Sequence, residues 1–292
     1  WGVVRTRELQ FFGADPYVTE LRGPICRADD TICVIDALSR HIRRKRECDW
    51  VQWRGLRYPD GVEHPELSLR EDDKLGIVDY FIPVPGNWEA FKASLPRNIK
   101  ESLRKCYNSL KRENLDFEFR VVVASRDVPQ AIDRFLDLHR ARAEQEGTVK
   151  HPDVFESPQA RALLRDYCLE LARRGALRIF QLVIEGKVVA TRIGFALGDE
   201  IYLYFSGYDS AYSRFSVMTT TVAEALKWSI ENGFRVVNLS TGTDVSKTRW
   251  RPQQIFYHGG YEVFAAVKSR AAYRFVEAMR DRGRPQLVAN TA

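Results

Sequence analysis

Nowhere does the chain approach the run of about 18 apolar residues that a membrane-spanning helix needs, so a helical span is excluded. A secretory leader is not expected either. The chain starts at Trp1 without Met, and the charged segment that follows has no apolar h-region. Residue 1 is therefore expected to be a fragment boundary, with the true N-terminus elsewhere. Cysteine is sparse and unpatterned. The residues Cys26, Cys33, Cys48, Cys106 and Cys168 are odd in number and have no C-x-x-C spacing, which excludes a disulfide framework and a zinc site. Reduced thiols in a cytoplasmic protein fit best, with Cys106 and Cys168 in helical patterns reading as packing and not as nucleophiles.

What is present is an ordinary globular composition. The chain has 292 residues, 45% hydrophobic and 29% charged, enough for two domains that each bury a core. The net charge is +6. Basic residues gather in His41–Arg46, Arg97–Arg112 and Arg270–Arg284. Such clusters attract polyanions (nucleic acid, phosphate-bearing cofactors, acidic lipid) or are simply solvated helix faces.

Periodicity divides the chain. Short strands are expected at Gln10–Phe12 and Tyr17–Glu20. A helix follows Asp30, with Ile32, Ile35, Leu38 and Ile42 at helical spacing, then strands at Trp50–Trp53 and Ile77–Val84 around a loop at 55–75. Two helices, Asn87–Leu95 and Pro96–Glu113, flank a break at Leu95–Pro96; the second puts Ile99, Leu103, Cys106 and Leu110 on one face. Beyond them come a strand at Phe117–Val123, a helix at Val128–Glu146 and a helix from Ser157 that Gly175 stops. Next is the strongest local pattern, a meander of Ala176–Ile184, Val188–Leu197 and Ile201–Tyr208 turned by Glu185–Gly186–Lys187 and Gly198–Asp199–Glu200. A helix at Thr219–Asn232, a strand at Val236–Leu239, a loop or short helix at Ser240–Arg251, a bent strand or strand pair at Ile255–Val267 and a terminal helix at Ser269–Arg282 complete the order.

The junction IYLYFSGYDSAYSRFSVMTTTVAEALKW, from Ile201 to Trp228, carries a chemical implication. A helix that starts right after a strand aims unpaired N–H groups and a partial positive charge at whatever faces the strand end, which suits an anion such as a pyrophosphate. A plain capped turn gives the same pattern.

The order of elements, with LeuProArgAsnIleLysGluSerLeuArgLys, PheLeuAspLeuHisArgAlaArg, LeuValIleGluGlyLysValValAlaThrArgIleGlyPhe, TyrPheSerGlyTyrAsp and ValValAsnLeuSerThrGlyThrAspValSerLysThrArgTrp, resembles the GNAT acyltransferase superfamily. More narrowly it is similar to the CelD-like (cellulose biosynthesis type) acetyltransferase domains, which are related to Fem aminoacyl transferases. The resemblance runs from about Asn87 to Tyr261. It implies an α/β (α+β) fold with a mixed, mostly antiparallel twisted sheet flanked by helices. It also implies a tandem organisation: a remnant N-terminal copy at 1–86, connecting helices at 87–116, a complete domain at 117–268 and a terminal helix and tail at 269–292. The implied activity is acyl transfer from acetyl-CoA or another acyl-CoA to an amine or hydroxyl of a small molecule, a sugar or a cell-envelope precursor, with no metal. The pantetheine arm would lie along the strand through Phe205, Ser206 and Gly207. The pyrophosphate would sit on Arg214, Phe215, Ser216, Val217, Met218 and Thr219. The family's phosphate loop normally carries glycine, and this loop has none. The family's Tyr-Lys after the next strand is here Ser246-Lys247. Two other readings stay open: a Fem-like transferase using charged tRNA, the one case that brings in nucleic acid, and a noncatalytic module.

The expected catalytic residues are His139, as a helix-borne base, Asp209, as a base or ammonium ligand at the strand end, and Tyr208. Each has a plainer reading as a core-edge histidine, a turn residue or a wall. Expected substrate contacts are Arg142, three residues after His139 and suited to a carboxylate or phosphate, then Tyr202 and Tyr204, alternating with Tyr208 on one strand face, and Ser240, Lys247 and Arg249. Asp244 reads as a helix cap, and Glu144 and Glu146 as solvated. His64, His151 and His258 have no partner identifiable from the sequence.

Overall fold

The computed structural model describes residues 5–13, 18–45, 47–57, 69–71, 76–145, 151–242, 245–263 and 267–282. In chain order these form β1 (Glu8–Leu9), α1 (Thr31–Lys45), β2 (Trp50–Leu56), β3 (Leu69–Glu71), β4 (Ile77–Pro83), α2 (Trp88–Ser94), α3 (Arg97–Arg112), β5 (Phe117–Val122), α4 (Val128–Ala143), α5 (Pro158–Arg173), β6 (Leu177–Ile184), β7 (Lys187–Leu197), β8 (Glu200–Tyr208), α6 (Val217–Glu231), β9 (Val236–Thr241), α7 (Val245–Thr248), β10 (Gln253–Val263) and α8 (Val267–Arg282). The chain divides into two units, one of residues 1–77 with 256–292 and one of residues 78–255. None of the described helices is long and apolar enough to cross a membrane.

In the first unit β1 pairs parallel with β2, and β10 pairs antiparallel with β2 and β3. Ile35 of α1 packs on Val51, Trp53 and Leu56, and Tyr261 and Tyr273 pack on Trp50. The buried Glu262 carboxylate accepts from Ser39 Oγ, Arg43 Nε and Trp53 Nε1, so its charge is satisfied inside the unit. The strand expected at Gln10–Phe12 lies earlier, at Glu8–Leu9, and Val18–Glu20 is not strand; Tyr17 falls outside the described residues. The loop expected at 55–75 holds β3.

In the second unit turn chemistry sets the sheet. Glu185 and Gly186 both take left-handed φ, 51° and 75°, the pair of torsions a two-residue hairpin needs, and they join β6 to β7. The strand order is β4-β9-β8-β7-β6-β5. Neighbours are antiparallel apart from β8 and β9, which run parallel and are joined by α6 as the crossover. The result is a mixed, mostly antiparallel sheet flanked by helices.

One face of this sheet carries α2, α3 and α6. Ile99 and Leu103 of α3, Phe91 and Leu95 around α2, and Val222 and Leu226 of α6 close on Phe180, Ile201, Leu203 and Leu239. Each such side chain contributes roughly 1.5–3 kcal/mol when fully buried. The spacing read for α3 holds in full: Ile99, Leu103, Cys106 and Leu110 are all buried. The helices α2 and α3, expected to act as connectors, are thus part of this unit's core. The opposite face carries α4 and α5, where Phe135, Phe155 and Phe205 meet edge to face.

Two irregularities shape the middle of the sheet. Between β7 and β8 the register shifts: Gly194 pairs with Leu203 but Arg192 pairs with Ser206. Tyr204 and Phe205 therefore face Ile193 alone, a β-bulge. The bulge corrects the expected alternation of Tyr202, Tyr204 and Tyr208. Before it Tyr202 and Tyr204 point to the α4 side; after it Ser206 and Tyr208 join Leu203 on the α6 side. The second irregularity lies between β8 and β9. Their pairing covers only Glu200–Tyr202 against Val236–Asn238, although β8 runs on to Tyr208 and β9 to Thr241. The two strands separate beyond that point.

Candidate functional site

Parallel strands that stop pairing leave backbone groups to be satisfied by something else. Here part of the answer is Arg192. It stands on β7, is buried, and donates through one guanidinium nitrogen to the carbonyls of Leu203 on β8 (3.1 Å) and Leu239 on β9 (3.2 Å). One side chain spans the separation.

Beside it lies a cavity of about 340 Å³. Its wall includes the start of α6 (Val217, Met218, Thr219), the residues before it (Ser213, Ser216), the strand end (Ser206, Tyr208) and Trp250. Arg142, Arg192 and Arg249 bring the charge, and His151 lines the cavity beside them. Among the described residues that line it there is no Asp or Glu. The start of α6 is open. Ser216 sits in the left-handed region at φ 53°, ψ 40°, its side chain makes no capping bond, and the first backbone bond closes at Thr220 N to Ser216 O. The N–H groups of Val217, Met218 and Thr219 precede that bond and give this end of the cavity positive polarity. Left-handed torsions are usually supplied by glycine; Ser216 adopts them in a loop without one.

Hydrogen bonds anchor two of the arginines. Arg249 donates to Thr219 Oγ1 (3.2 Å) and to Ser102 Oγ (2.8 Å). Arg142 donates to Ser206 Oγ (2.9 Å) and to His151 Nε2 (2.6 Å), and its guanidinium lies 5.9 Å from the centre of the Tyr208 ring. Tyr208 in turn donates to Gln145 Oε1 at 2.9 Å.

Of the residues expected from the sequence, the structure gathers Arg142, Ser206, Tyr208, Ser216, Val217, Met218, Thr219 and Arg249 around this cavity. The others lie outside its lining. His139 is buried behind β8. Its Nδ1 bonds the Ser206 carbonyl (3.0 Å), its ring stacks on Phe135, and Nε2 is 3.8 Å from Asp153 Oδ1. Burial holds its pKa below the ordinary value near 6.5, partly opposed by the Ser206 bond and by Asp153. Asp209 accepts from Lys187 Nζ at 2.7 Å and from Ala211 N at 3.1 Å, capping the short 3-10 turn Ser210–Phe215. The Lys187 bond is the main cause of its lowered pKa. Phe205 packs on His139 and Phe155, and Tyr204 on Phe195. Tyr202, opposite Asn238 at the last paired position, is also away from the lining. Gly207 faces α4. Arg214 pairs with Glu113 at 2.8 Å, and Phe215 is core. Ser240, at φ 67°, and the buried Lys247 form a local brace: Lys247 Nζ donates to Ser240 Oγ (3.1 Å) and to the Thr241 carbonyl. Asp244, Glu146 and His64 fall outside the described residues. Among those described, no group of His, Cys, Asp and Glu is arranged to hold a metal ion.

Arg192, Ser213 and Trp250 were not singled out from the sequence, and His151 and Ser246 were named there without a place in the site. A signal existed for Arg192. It interrupts the apolar strand KVVATRIGFAL, and a charged residue inside such a strand is rarely buried without a purpose.

A search among curated proteins finds no match. Solved structures share the fold at low identity. One is a conserved protein of unknown function from Bacteroides thetaiotaomicron VPI-5482, 17% identical over 80% of this chain and 75% of that one, with a TM-score of 0.54. Another is FemX, 8% identical over 90% of this chain and 85% of that one, with a TM-score of 0.52. The family model described as an acetyltransferase (GNAT) domain matches residues 97–250. That stretch is more than half of the chain and contains every residue of the cavity, and the chain belongs to the GNAT acetyltransferase-domain family.

Proposed function

We propose that this acyltransferase moves an acetyl or other acyl group from an acyl-CoA thioester to an amine or hydroxyl of a small-molecule, sugar or cell-envelope acceptor. The observation that carries the reading is the open first turn of α6, facing a cavity that holds Arg249 and sits where β8 and β9 part. The N–H groups of Val217, Met218 and Thr219, with Arg249 beside them, suit the donor's diphosphate. Ser216 supports that fit, because its left-handed backbone gives the loop the turn that a glycine would otherwise give.

In this reading β8 and β9 hold the thioester between their separated ends. The acceptor nitrogen or oxygen attacks the thioester carbonyl carbon, the new C–N or C–O bond forms, and the C–S bond breaks. Positioning supplies much of the rate. The acceptor loses one proton and the leaving thiolate gains one. Tyr208, whose hydroxyl is held by Gln145 at the cavity wall, is the side chain assigned to deliver the latter. His139 and Asp209 are given no direct role, being engaged outside the cavity.

The test is the melting temperature of the purified protein with CoA and acetyl-CoA at about 1 mM, beside Met218→Trp, which fills the mouth of the loop. A rise of several degrees in the parent protein, lost in the variant, establishes the donor. No rise at any concentration removes the acyl-CoA reading and turns attention to charged tRNA or to a noncatalytic role.

A further inference from the structure

A second cavity, of about 510 Å³, opens between the first half of α4 and the strands β5 to β7. It shares no lining residue with the first. The sheet register fixes what faces it. Arg120 on β5, Gln181 on β6 and Thr191 on β7 are cross-strand neighbours, and Thr191 in turn lies opposite Gly207. Directly opposed residues share a face of the sheet. Gly207 faces α4, with its Cβ position 2.5 Å from the His139 nitrogen, so all four do.

Two polar groups on this face are buried without a bond. Thr191 is fully buried and its Oγ1 has no partner. Gln181 is 4% exposed, lines the cavity, and makes no side-chain hydrogen bond among the described residues. Glutamine is seldom so deeply buried, and a buried amide left unmet is costly. Such a group calls for a partner from outside the chain.

Arg134 of α4 lines the same cavity. Its Nε and Nη2 both donate to the Val188 carbonyl, at 3.0 and 2.6 Å. That fixes the guanidinium plane and leaves Nη1 to donate elsewhere. Asp209, itself bonded to Lys187 at 2.7 Å, offsets part of its charge, so what Arg134 brings is a directed donor. Arg120, on the exposed edge, is taken by Glu118. Asp127, the one acid among the described lining residues, is seven positions before Arg134 on α4, about 10 Å along the helix axis. The wall is apolar at Val122, Ala131 and Val188.

We propose that this cavity is a second ligand site, for a small aliphatic carboxylate whose oxygens accept from the Gln181 amide and from Arg134 Nη1, with its carbon chain on Val122, Ala131 and Val188. A carboxylate accepts at both oxygens. A neutral amide of the same shape has one oxygen, and its NH2 group would face a guanidinium that can only donate. The site is independent of the donor and acceptor held at the first cavity.

The experiment is an NMR titration of the isotopically labelled full chain with butyrate and, separately, with butyramide. The side-chain NH2 resonance of Gln181 is followed, assigned by its loss in Gln181→Met, together with the backbone amides of Ala131 and Val188. Butyrate is expected to shift all three saturably, and butyramide to bind at least about tenfold more weakly. In Gln181→Met, which keeps the length of the side chain and removes the amide, the backbone shifts are expected to need at least about tenfold more butyrate. The urea midpoint of that variant is expected to be no lower than the parent's, because the amide makes no bond within the chain. A clearly lower midpoint would mean that the amide is structural, and overturns the proposal. So does the absence of saturable shifts, equal binding of acid and amide, or butyrate binding that persists unchanged in Gln181→Met.

Discussion

Gly207 and His139 meet backbone to backbone. A Cβ on Gly207 would fall 2.5 Å from the His139 nitrogen, 2.6 Å from the Leu138 carbonyl carbon and 2.9 Å from the His139 Cα. These are main-chain atoms of α4 and cannot swing aside as a side-chain tip would. Overpacking usually costs roughly 1–3 kcal/mol, and Gly207→Ala is expected near the upper end, about 3 kcal/mol, because α4 must move as a body. Urea denaturation at constant m-value measures it. An unchanged midpoint would mean that α4 slides at no cost. The same contact gives Gly207 a packing reason to be glycine, independent of any donor lying along β8.

Arg192 joins two strands that no longer pair with each other. Arg192→Met keeps most of the side-chain volume and removes both bonds, to Leu203 and Leu239. Bonds from charged donors contribute roughly 1.5–3 kcal/mol, so a loss of about 2–3 kcal/mol is expected. Arg192→Lys keeps a charged donor, on a more flexible stem, and should recover only part. Hydrogen exchange adds a local readout, with faster exchange at the ends of β8 and β9 in the methionine variant. Unchanged exchange there would show that the strands are held by other contacts.

Much of the second unit was legible from sequence because its signals are local. The α3 spacing, the Glu185–Gly186 turn, Gly175 and Gly233 past the ends of α5 and α6, and the junction after Tyr208 each declare themselves within a few residues. The bulge in β8 does not. It inserts one residue between Leu203 and Ser206, and alternation read through it turns every later side chain to the wrong face. That is why Tyr202 and Tyr204 were grouped with Tyr208. His139 and Asp209 failed to reach the cavity for another reason. Residue type marks them as able to do acid–base chemistry, but nothing in the sequence shows that the Ser206 carbonyl and Lys187 already engage them. Arg142 and His151 share the cavity through a bond across nine positions that no helical spacing predicts.

Ser216 holds a left-handed backbone with no side-chain bond to compensate. The strain of such torsions for an L-residue is about 1–2 kcal/mol, while glycine adds about 0.4–1 kcal/mol of unfolded-state freedom. Ser216→Gly is therefore expected to stabilise the protein by roughly 0.5–1 kcal/mol, and Ser216→Ala to be near neutral, since it keeps the strain and loses no bond. Chemical denaturation of both variants checks the pair. A destabilised glycine variant would mean that the serine hydroxyl holds the loop.

His139 makes stability depend on pH in a definable window. Burial lowers its folded-state pKa below the value near 6.5 of the unfolded chain. At pH 7 neither state is mostly protonated there. As pH falls through 6.5 the unfolded chain takes up a proton that the folded protein still refuses, so the unfolded state gains and stability drops. The limiting slope for one proton is about 1.4 kcal/mol per pH unit, and the loss ends once pH passes below the depressed folded value. Asp209 acts in a different window: its pKa is lowered from 3.8, so its contribution is present above that value and fades at more acidic pH. The measurement is stability against pH from 7.5 to 5, for the parent protein and for His139→Gln. Glutamine retains an N–H for the Ser206 carbonyl but does not titrate. The other histidines are common to both proteins and cancel in the difference. The parent profile is expected to fall more steeply than that of the variant. Parallel profiles would show that His139 takes its proton as readily in the fold as in the unfolded chain.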